Sequence, residues 1–234
     1  RRLAALPPEL LDNAQVKTVQ ARTWLKMALR ARNNKRPDEA KSLLSRAETK
    51  VREVVKDLPN SAEGNFTLGQ ILAEQGRYSE ASEALSRIPL GERWYVEGNM
   101  TRATLENLLG NQPMAVQSLR NVLDVEPRHL PARLGLVQSA VRNRDFAGAV
   151  RLVNDGLTYY PDNLALLQSM IDVLLQQARV APSTEVRNSL QVWSDRLVKS
   201  HPKVAAAWLY WARAMVALGR TDEATAKINE LRKA

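Results

Sequence analysis

The sequence contains no cysteine, and it has only two phenylalanines and ten glycines among its 234 residues. The absence of cysteine excludes disulfides and thiolate metal sites, and it is compatible with an oxidising or a reducing compartment. No apolar run approaches the roughly 18 residues that a membrane-spanning helix needs. The shortage of glycine and phenylalanine, beside abundant Ala, Leu, Arg and Gln, favours a helical protein.

Residue patterns that carry catalysis are also missing. The two histidines, His129 and His201, lie near prolines and have no second histidine at metal-ligand spacing, which indicates turn or surface roles. No glycine-rich phosphate loop is present, and no isolated pair of carboxylates lies within an apolar segment. The sequence therefore predicts a protein that is not an enzyme, with no cofactor, no metal site and no small-molecule substrate.

The net charge of +9 is unevenly distributed along the chain. Residues 1–60 carry fourteen Lys or Arg against seven Asp or Glu, and residues 61–234 carry twenty against eighteen. The excess is centred on four residues, Arg30, Arg32, Lys35 and Arg36. A nucleic-acid binder more often spreads its cations along a groove, so the pattern argues against nucleic acid as a partner. A solvated helix end is one interpretation of the excess, and an acidic partner or an anionic surface is the other.

A helix pair is repeated along the chain. The segment GNFTLGQILAEQGRYSEASEALSRI (64–88) has apolar residues at spacings of three and four on both sides of a Gly-Arg-Tyr step. Steps of 34 residues, with seven extra near 48–58 and near 178–187, bring the same second-helix position back six times. Its six occupants are Ala40, Ala81, Ala115, Ala149, Leu190 and Ala224.

This pattern resembles the tetratricopeptide repeat family. The resemblance is carried by LGQILAEQGRYSEASEAL (68–85), LVQSAVRNRDFAGAVRLVNDGLTYYP (136–161) and AWLYWARAMVALGRTDEATAKI (207–228). It implies an all-α fold, a right-handed α-solenoid of about six helix hairpins over residues 21–234. Residues 1–20 are then an N-terminal cap or the tail of a preceding repeat. The third copy departs from the pattern, because Arg102 occupies an apolar position.

The resemblance also implies that one side of each first helix faces a concave groove. A polar column and a more apolar column fall on that side in copies two to six. The polar column is Gln70, Thr104, Gln138, Asp172 and Arg213, and the second column is Phe66, Met100, Leu134, Gln168 and Leu209. Amides beside apolar side chains suit an extended peptide or a helix, so these ten residues are the predicted partner-binding residues. An ordinary solvated helix face is the alternative interpretation.

We therefore expect a non-catalytic scaffold that binds a peptide or helix of another protein. Similar arrays are common in bacterial envelope systems, including polysaccharide export, which favours a periplasmic or envelope location for this chain. A cytoplasmic adaptor or secretion chaperone is the first alternative, and a helical-repeat RNA binder is the second.

The two ends of the sequence add a further expectation. The chain opens with Arg1-Arg2 and no methionine, and its last repeat ends with Ile228 and Leu231. Because a repeat array needs a polar terminal helix to cover its last apolar surface, we expect a piece of a longer array, or self-association through uncapped ends.

Overall fold

The fold is all-α throughout the part of the chain that the structure describes. The computed structural model describes residues 13–232, and these residues form twelve helices and no strand. The chain divides into two compact units, residues 1–125 and 126–234. Each unit contains three helix hairpins. The predicted all-α helical-repeat class is confirmed.

The hairpins of unit 1 are α1–α2, α3–α4 and α5–α6. The helices are α1 Ala14–Asn33, α2 Pro37–Asp57, α3 Ala62–Glu74, α4 Tyr78–Ser86, α5 Tyr95–Leu108 and α6 Gln112–Val125. The hairpins of unit 2 are α7–α8, α9–α10 and α11–α12. These helices are α7 Leu130–Arg142, α8 Phe146–Tyr159, α9 Leu164–Val180, α10 Thr184–Ser200, α11 Ala205–Ala217 and α12 Thr221–Leu231.

The predicted start of the first repeat and the two predicted insertions can be compared with the observed helix bounds. Helix α1 begins at Ala14, seven residues before the predicted start of the first repeat, and residues 1–12 of the predicted N-terminal segment lie outside the described residues. The extra residues predicted near 48–58 belong to the long helix α2. Those predicted near 178–187 span the end of α9, a three-residue turn and the start of α10.

Five of the six hairpin turns contain a residue in the left-handed region of backbone space. These residues are Lys35, Gly76, Gly110, Arg144 and Gly219, with φ between 57° and 82°. Glycine adopts this conformation without strain, whereas a residue with a Cβ atom does so at a cost of about 1 kcal/mol. The turn between α9 and α10 has no such residue. The hairpin turns are thus equivalent in five copies, although two of the five carry a basic residue in place of glycine.

Short polar side chains begin several of the helices. Ser61 accepts a hydrogen bond from the Gly64 amide at the start of α3, and Ser183 accepts one from the Val186 amide at the start of α10. Such caps satisfy amides that have no partner within the helix. The Ser183 cap lets α10 begin directly after Pro182, where the preceding helix has stopped.

Small residues at the hairpin crossings let the two helices approach each other closely. Ala81, Ala115 and Ala149 are completely buried on the second helices. On the first helix of the second hairpin, a Cβ atom added at Gly69 would lie 2.6 Å from Leu85 Cγ. The recurring small residues found in the sequence are therefore packing positions.

Arg102, the departure in the third copy, takes part in a buried polar group. Its Nε donates a hydrogen bond to Ser82 Oγ at 3.2 Å, and the Ser82 hydroxyl donates to the carboxylate of buried Glu106. A cation at an apolar position is tolerated here because a buried carboxylate lies close to it. The unit keeps the repeat geometry with a polar contact between α4 and α5.

Candidate functional site

The first helices of the hairpins are neighbours within each unit. Helix α3 contacts α1 and α5 in unit 1, and helix α9 contacts α7 and α11 in unit 2. All ten predicted partner-binding residues lie on first helices, in pairs four residues apart. Residues four apart share one side of a helix, so each pair lies on a common face. Their surroundings differ sharply from helix to helix.

Phe66 in unit 1 is covered by an aromatic neighbour. Its ring stacks on Trp94 with centroids 4.6 Å apart, and only 8% of Phe66 is exposed. The guanidinium groups of Arg22 and Arg93 lie 5.3 Å and 5.0 Å from the centre of the Trp94 ring. Phe66 therefore stabilises the segment that leads into α5 and offers little surface to a partner.

The other predicted residues of unit 1 are more accessible. Gln70 and Met100 are half-buried, and Thr104 is exposed. The Thr104 hydroxyl donates to the carbonyl of Met100 at 3.2 Å, so its own helix already uses this donor. Gln70 is the predicted residue of unit 1 that could offer an amide to a bound backbone.

Three predicted residues in the fourth and fifth copies, in unit 2, differ in their exposure to solvent. Leu134 is half-buried and packs against the apolar core, Gln168 is half-buried, and Gln138 is exposed. Gln138 can therefore reach a partner without moving a neighbour. Whether these side chains bind one stays a prediction.

Asp172 and Arg213 are brought together across α9 and α11. Arg213 Nη2 donates to Asp172 Oδ1 at 3.1 Å, and the Tyr210 hydroxyl donates to Asp172 Oδ2 at 3.0 Å. The Arg213 guanidinium also lies 4.8 Å from the centre of the Tyr210 ring. Burial, and then the nearby Asp172 carboxylate, raise the pKa of the Tyr210 hydroxyl, which therefore remains a donor at neutral pH. The two predicted polar residues thus already satisfy each other.

A groove of about 570 Å³ runs beside this pair, between α9 and α11. We call it the α9–α11 groove, and it is lined by Leu175, Ala178, Arg179, Leu209, Ala212, Arg213, Val216 and Ala217. Leu209 is 58% exposed and Val216 is 53% exposed, and they lie seven residues apart on one side of α11, where they form an exposed apolar patch. The groove therefore presents an apolar floor with two arginines at its edges.

Arg179 differs from Arg213 because it has no anionic partner among residues 13–232. It lies in the last turn of α9, at the edge of the α9–α11 groove. An unpaired guanidinium beside an apolar floor can pair with a carboxylate of a bound segment. The arrangement can recognise a segment that carries both apolar and acidic side chains.

Sequence reasoning missed Leu175, Arg179, Tyr210 and Val216. The signal was present in part, because Leu175 and Arg179 lie three and seven residues after Asp172, and Val216 lies seven after Leu209. Following each predicted column along its helix at a period of 3.6 residues would have found them. Tyr210 could not have been found in this way, since its role depends on how α9 and α11 face each other.

Side chains that could hold a metal ion are not grouped in the described part of the chain. Within residues 13–232, no three His, Asp or Glu side chains lie close enough together to hold a metal ion. His129 Nδ1 accepts a hydrogen bond from the Ala132 amide at the start of α7, and His201 Nε2 lies 2.7 Å from the Asp162 carbonyl oxygen. Both histidines thus bind backbone groups. The helices in these residues are also too short or too polar to cross a membrane.

The sequence of residues 31–93 matches the family model for the tetratricopeptide repeat. This match runs from the last residues of α1 to the segment before α5, and it contains α2, α3 and α4. Residues 31–93 therefore belong to the tetratricopeptide repeat family. Beyond residue 93 the chain continues in helix hairpins of the same kind.

Solved structures show the same tetratricopeptide repeat fold over most of the chain. A tetratricopeptide repeat protein from Parabacteroides merdae is 15% identical, with a TM-score of 0.60, 92% of this chain covered and 79% of that one. PilW, described as a type IV pilus biogenesis factor, is 12% identical, with a TM-score of 0.54 and coverage of 90% and 92%. YrrB, described as having an unusual peptide-binding site, is 12% identical, with a TM-score of 0.53 and coverage of 79% and 88%. No curated protein matched this chain in a sequence search.

Proposed function

We propose that this tetratricopeptide repeat protein is a non-catalytic scaffold that holds a peptide or helix of a partner protein against its first helices. The observation that carries the proposal is the α9–α11 groove, with Leu209 and Val216 more than half exposed beside the unpaired Arg179. Exposed apolar side chains grouped in a groove are typical of surfaces that bind another protein.

The occupant that fits the α9–α11 groove is an amphipathic segment. Its apolar side chains would cover Leu209 and Val216, which removes their surface from water. A carboxylate on the same segment would pair with Arg179 at the edge of the groove. Arg213 is less available for that purpose, since it is already bonded to Asp172.

We further propose that the partner belongs to an envelope or secretion assembly of a bacterium. The support for this setting is the similarity to PilW, whose description names pilus biogenesis. A cytoplasmic adaptor would use the same groove, so the experiment below tests the groove and is independent of the setting.

The test is selection of peptides on the intact protein, followed by measurement of their affinity. Peptides selected from a displayed random library are labelled and titrated by fluorescence anisotropy. We expect Leu209→Glu to weaken their binding by at least about tenfold, because it places a charge on the apolar floor of the groove. The melting temperature should stay the same, since the side chain is mostly in solvent.

Val192→Glu is the matched control. Val192 is 63% exposed on α10, a second helix, and the substitution adds the same charge in the same unit. We expect it to leave the affinity unchanged. Equal losses in the two variants, or no loss with Leu209→Glu, would overturn the assignment of the groove.

A further inference from the structure

Charge is segregated within unit 1. The first hairpin, residues 13–57, contains twelve Lys or Arg and five Asp or Glu. Residues 58–125 of the same unit contain five Lys or Arg and eight Asp or Glu. One hairpin of the unit is therefore strongly basic while the other two together are acidic.

Helix α1 contains five basic residues and no acidic residue. Three of the five cations point toward other helices, where Lys17, Arg22 and Arg32 form ion pairs with Glu53, Glu63 and Glu74. The remaining two, Lys26 and Arg30, are exposed and have no partner among the described residues. They lie four residues apart and so share one side of the helix.

Apolar side chains accompany these two cations. Val19 and Met27 are each 45% exposed on α1, and Val19 lies seven residues before Lys26, on the same side. Met27 flanks that side between Lys26 and Arg30 along the chain. The exposed side of α1 thus combines unpaired cations with apolar groups that water does not favour.

The turn that follows α1 adds a third unpaired cation in a strained conformation. Lys35 has φ of 59°, whereas three equivalent turns contain Gly76, Gly110 and Gly219. Lys35 is exposed and has no partner among the described residues. A lysine in this position costs stability that glycine would not, and Arg144 carries the same cost in unit 2, so the argument for Lys35 rests on its exposed charge.

We propose that this basic face, formed by Val19, Lys26, Met27 and Arg30 on α1 together with Lys35 in the turn that follows, binds the surface of an anionic phospholipid bilayer. The cations attract lipid phosphates, and Met27 and Val19 enter the boundary between headgroups and acyl chains. This surface is separate from the α9–α11 groove, so the inference goes beyond the proposed scaffold function.

A membrane accounts for the face better than a nucleic acid does. Single-stranded nucleic acid is held by aromatic side chains on which bases stack. The aromatic residue of α1, Trp24, is half-buried, and the Arg46 guanidinium lies 4.7 Å from the centre of its ring. The face instead offers the apolar side chains of Val19 and Met27 along one helix, which suits the surface of a bilayer.

The test is sedimentation of the intact protein with lipid vesicles. Vesicles of phosphatidylcholine with about 30% phosphatidylglycerol are compared with phosphatidylcholine alone, at about 0.1 M and about 0.5 M salt. We expect binding to the anionic vesicles at low salt, and little binding at high salt or without phosphatidylglycerol. Absence of binding to the anionic vesicles would overturn the proposal.

Variants of the cations locate the surface. Lys26→Glu with Arg30→Glu should weaken vesicle binding at least about twentyfold, because each cation contributes about fivefold and the sign is reversed. Arg151→Glu with Arg187→Glu changes the net charge equally, at exposed unit 2 residues without described partners, and should reduce binding far less. Equal losses would mean that only net charge matters and would overturn the proposed face.

Two further variants separate the face from a structural role and from simple attraction between charges. Lys35→Gly should weaken binding about fivefold while the melting temperature stays equal or rises, and Arg144→Gly, the matched change in unit 2, should leave binding unaltered. Met27→Ser should weaken binding severalfold without changing the charge. Unchanged binding with Met27→Ser would indicate a general polyanion site and overturn the membrane assignment.

Discussion

A buried apolar cluster joins the hairpins in each unit, but unit 1 adds more ion pairs between its hairpins than unit 2 does. Four ion pairs connect the first two hairpins of unit 1: Arg22–Glu63, Arg32–Glu74, Arg77–Glu48 and Arg52–Glu80. In unit 2 the pair Asp172–Arg213 joins two hairpins, and Arg196–Asp162, at 3.6 Å, joins α10 to the segment between α8 and α9. The buried apolar cluster of unit 2 includes four side chains of α9 that are at most 1% exposed: Leu166, Leu167, Met170 and Ile171.

The buried polar residues follow the same division. Eight polar or charged residues are buried in the described part of unit 1, and three in that of unit 2. Two buried oxygens of α3, Asn65 Oδ1 and Thr67 Oγ1, lack a hydrogen-bond partner. Hairpins of one fold can therefore be held together by different proportions of ion pairs and buried apolar side chains. Only the stability contributed by the ion pairs should depend on pH and salt.

Truncation of the unit 2 core is expected to have the largest effect. Leu167 is completely buried, so Leu167→Ala should lower the free energy of unfolding by about 3 kcal/mol. Urea unfolding followed by circular dichroism measures the change. Val192→Ala, at a residue that is 63% exposed, is the control and should cost less than about 0.5 kcal/mol. A loss below about 1 kcal/mol for Leu167→Ala would show that the unit 2 joints do not depend on apolar packing.

Neutralising Glu48 is expected to have the next largest effect. Burial raises the pKa of the Glu48 carboxyl, but hydrogen bonds from Gln75, Arg52 and Arg77 outweigh it and hold the pKa below its ordinary value of 4.5. Glu48→Gln removes the charge that those arginines bind, and we expect a loss of about 1.5 kcal/mol at pH 7.

The stability lost in Glu48→Gln should depend on pH in a direction that follows from the lowered pKa of Glu48. A carboxyl with a lowered pKa in the folded state stabilises the protein fully above about pH 4.5, and the contribution is lost as the pH falls through the folded-state pKa. The difference between wild type and Glu48→Gln should therefore close below that pKa. Urea unfolding at a series of pH values measures it, and a difference that persists in acid would mean that shape, not charge, makes Glu48 important.

The smallest of these effects should be a gain in stability. Thr67→Val keeps the shape of the side chain and removes a buried hydroxyl that has no hydrogen-bond partner, so we expect about 1 kcal/mol of stabilisation. A rise in melting temperature by calorimetry checks it. Ser118→Ala in the same unit is the contrast, because the Ser118 hydroxyl does donate to the Met114 carbonyl. A loss of stability in Thr67→Val would show that the buried Thr67 hydroxyl does not destabilise unit 1.

The repeated hairpins could be predicted because they depend on local spacing. Ala81, Ala115 and Ala149 lie in the sequence at the period that places them at helix crossings, and all three are fully buried. The turns were only partly visible, since Lys35 and Arg144 occupy positions where glycine was expected. Position within the repeat, rather than residue type, identifies these two turns.

The candidate site was less predictable because it depends on contacts between helices. The sequence placed Phe66 on an exposed side, but it could not show that Trp94 would return over its ring. Similarly, Asp172 and Arg213 are 41 residues apart, and only the packing of α9 on α11 makes them partners. The repeat period shows which residues share a side of the first helices. It does not show which of them bind one another and so are less available to a partner.

Helix α9 is one turn longer than the first helices on either side of it. It has 17 residues, while α7 and α11 have 13 each, and its added turn carries Ala178 and Arg179. Those two residues form part of the wall of the α9–α11 groove. In an array of similar units, a ligand could settle at any of several equivalent places. Under the proposed function, the longer helix distinguishes the α9–α11 groove from the other side of α9 in unit 2, and a bound segment would be held at that one place.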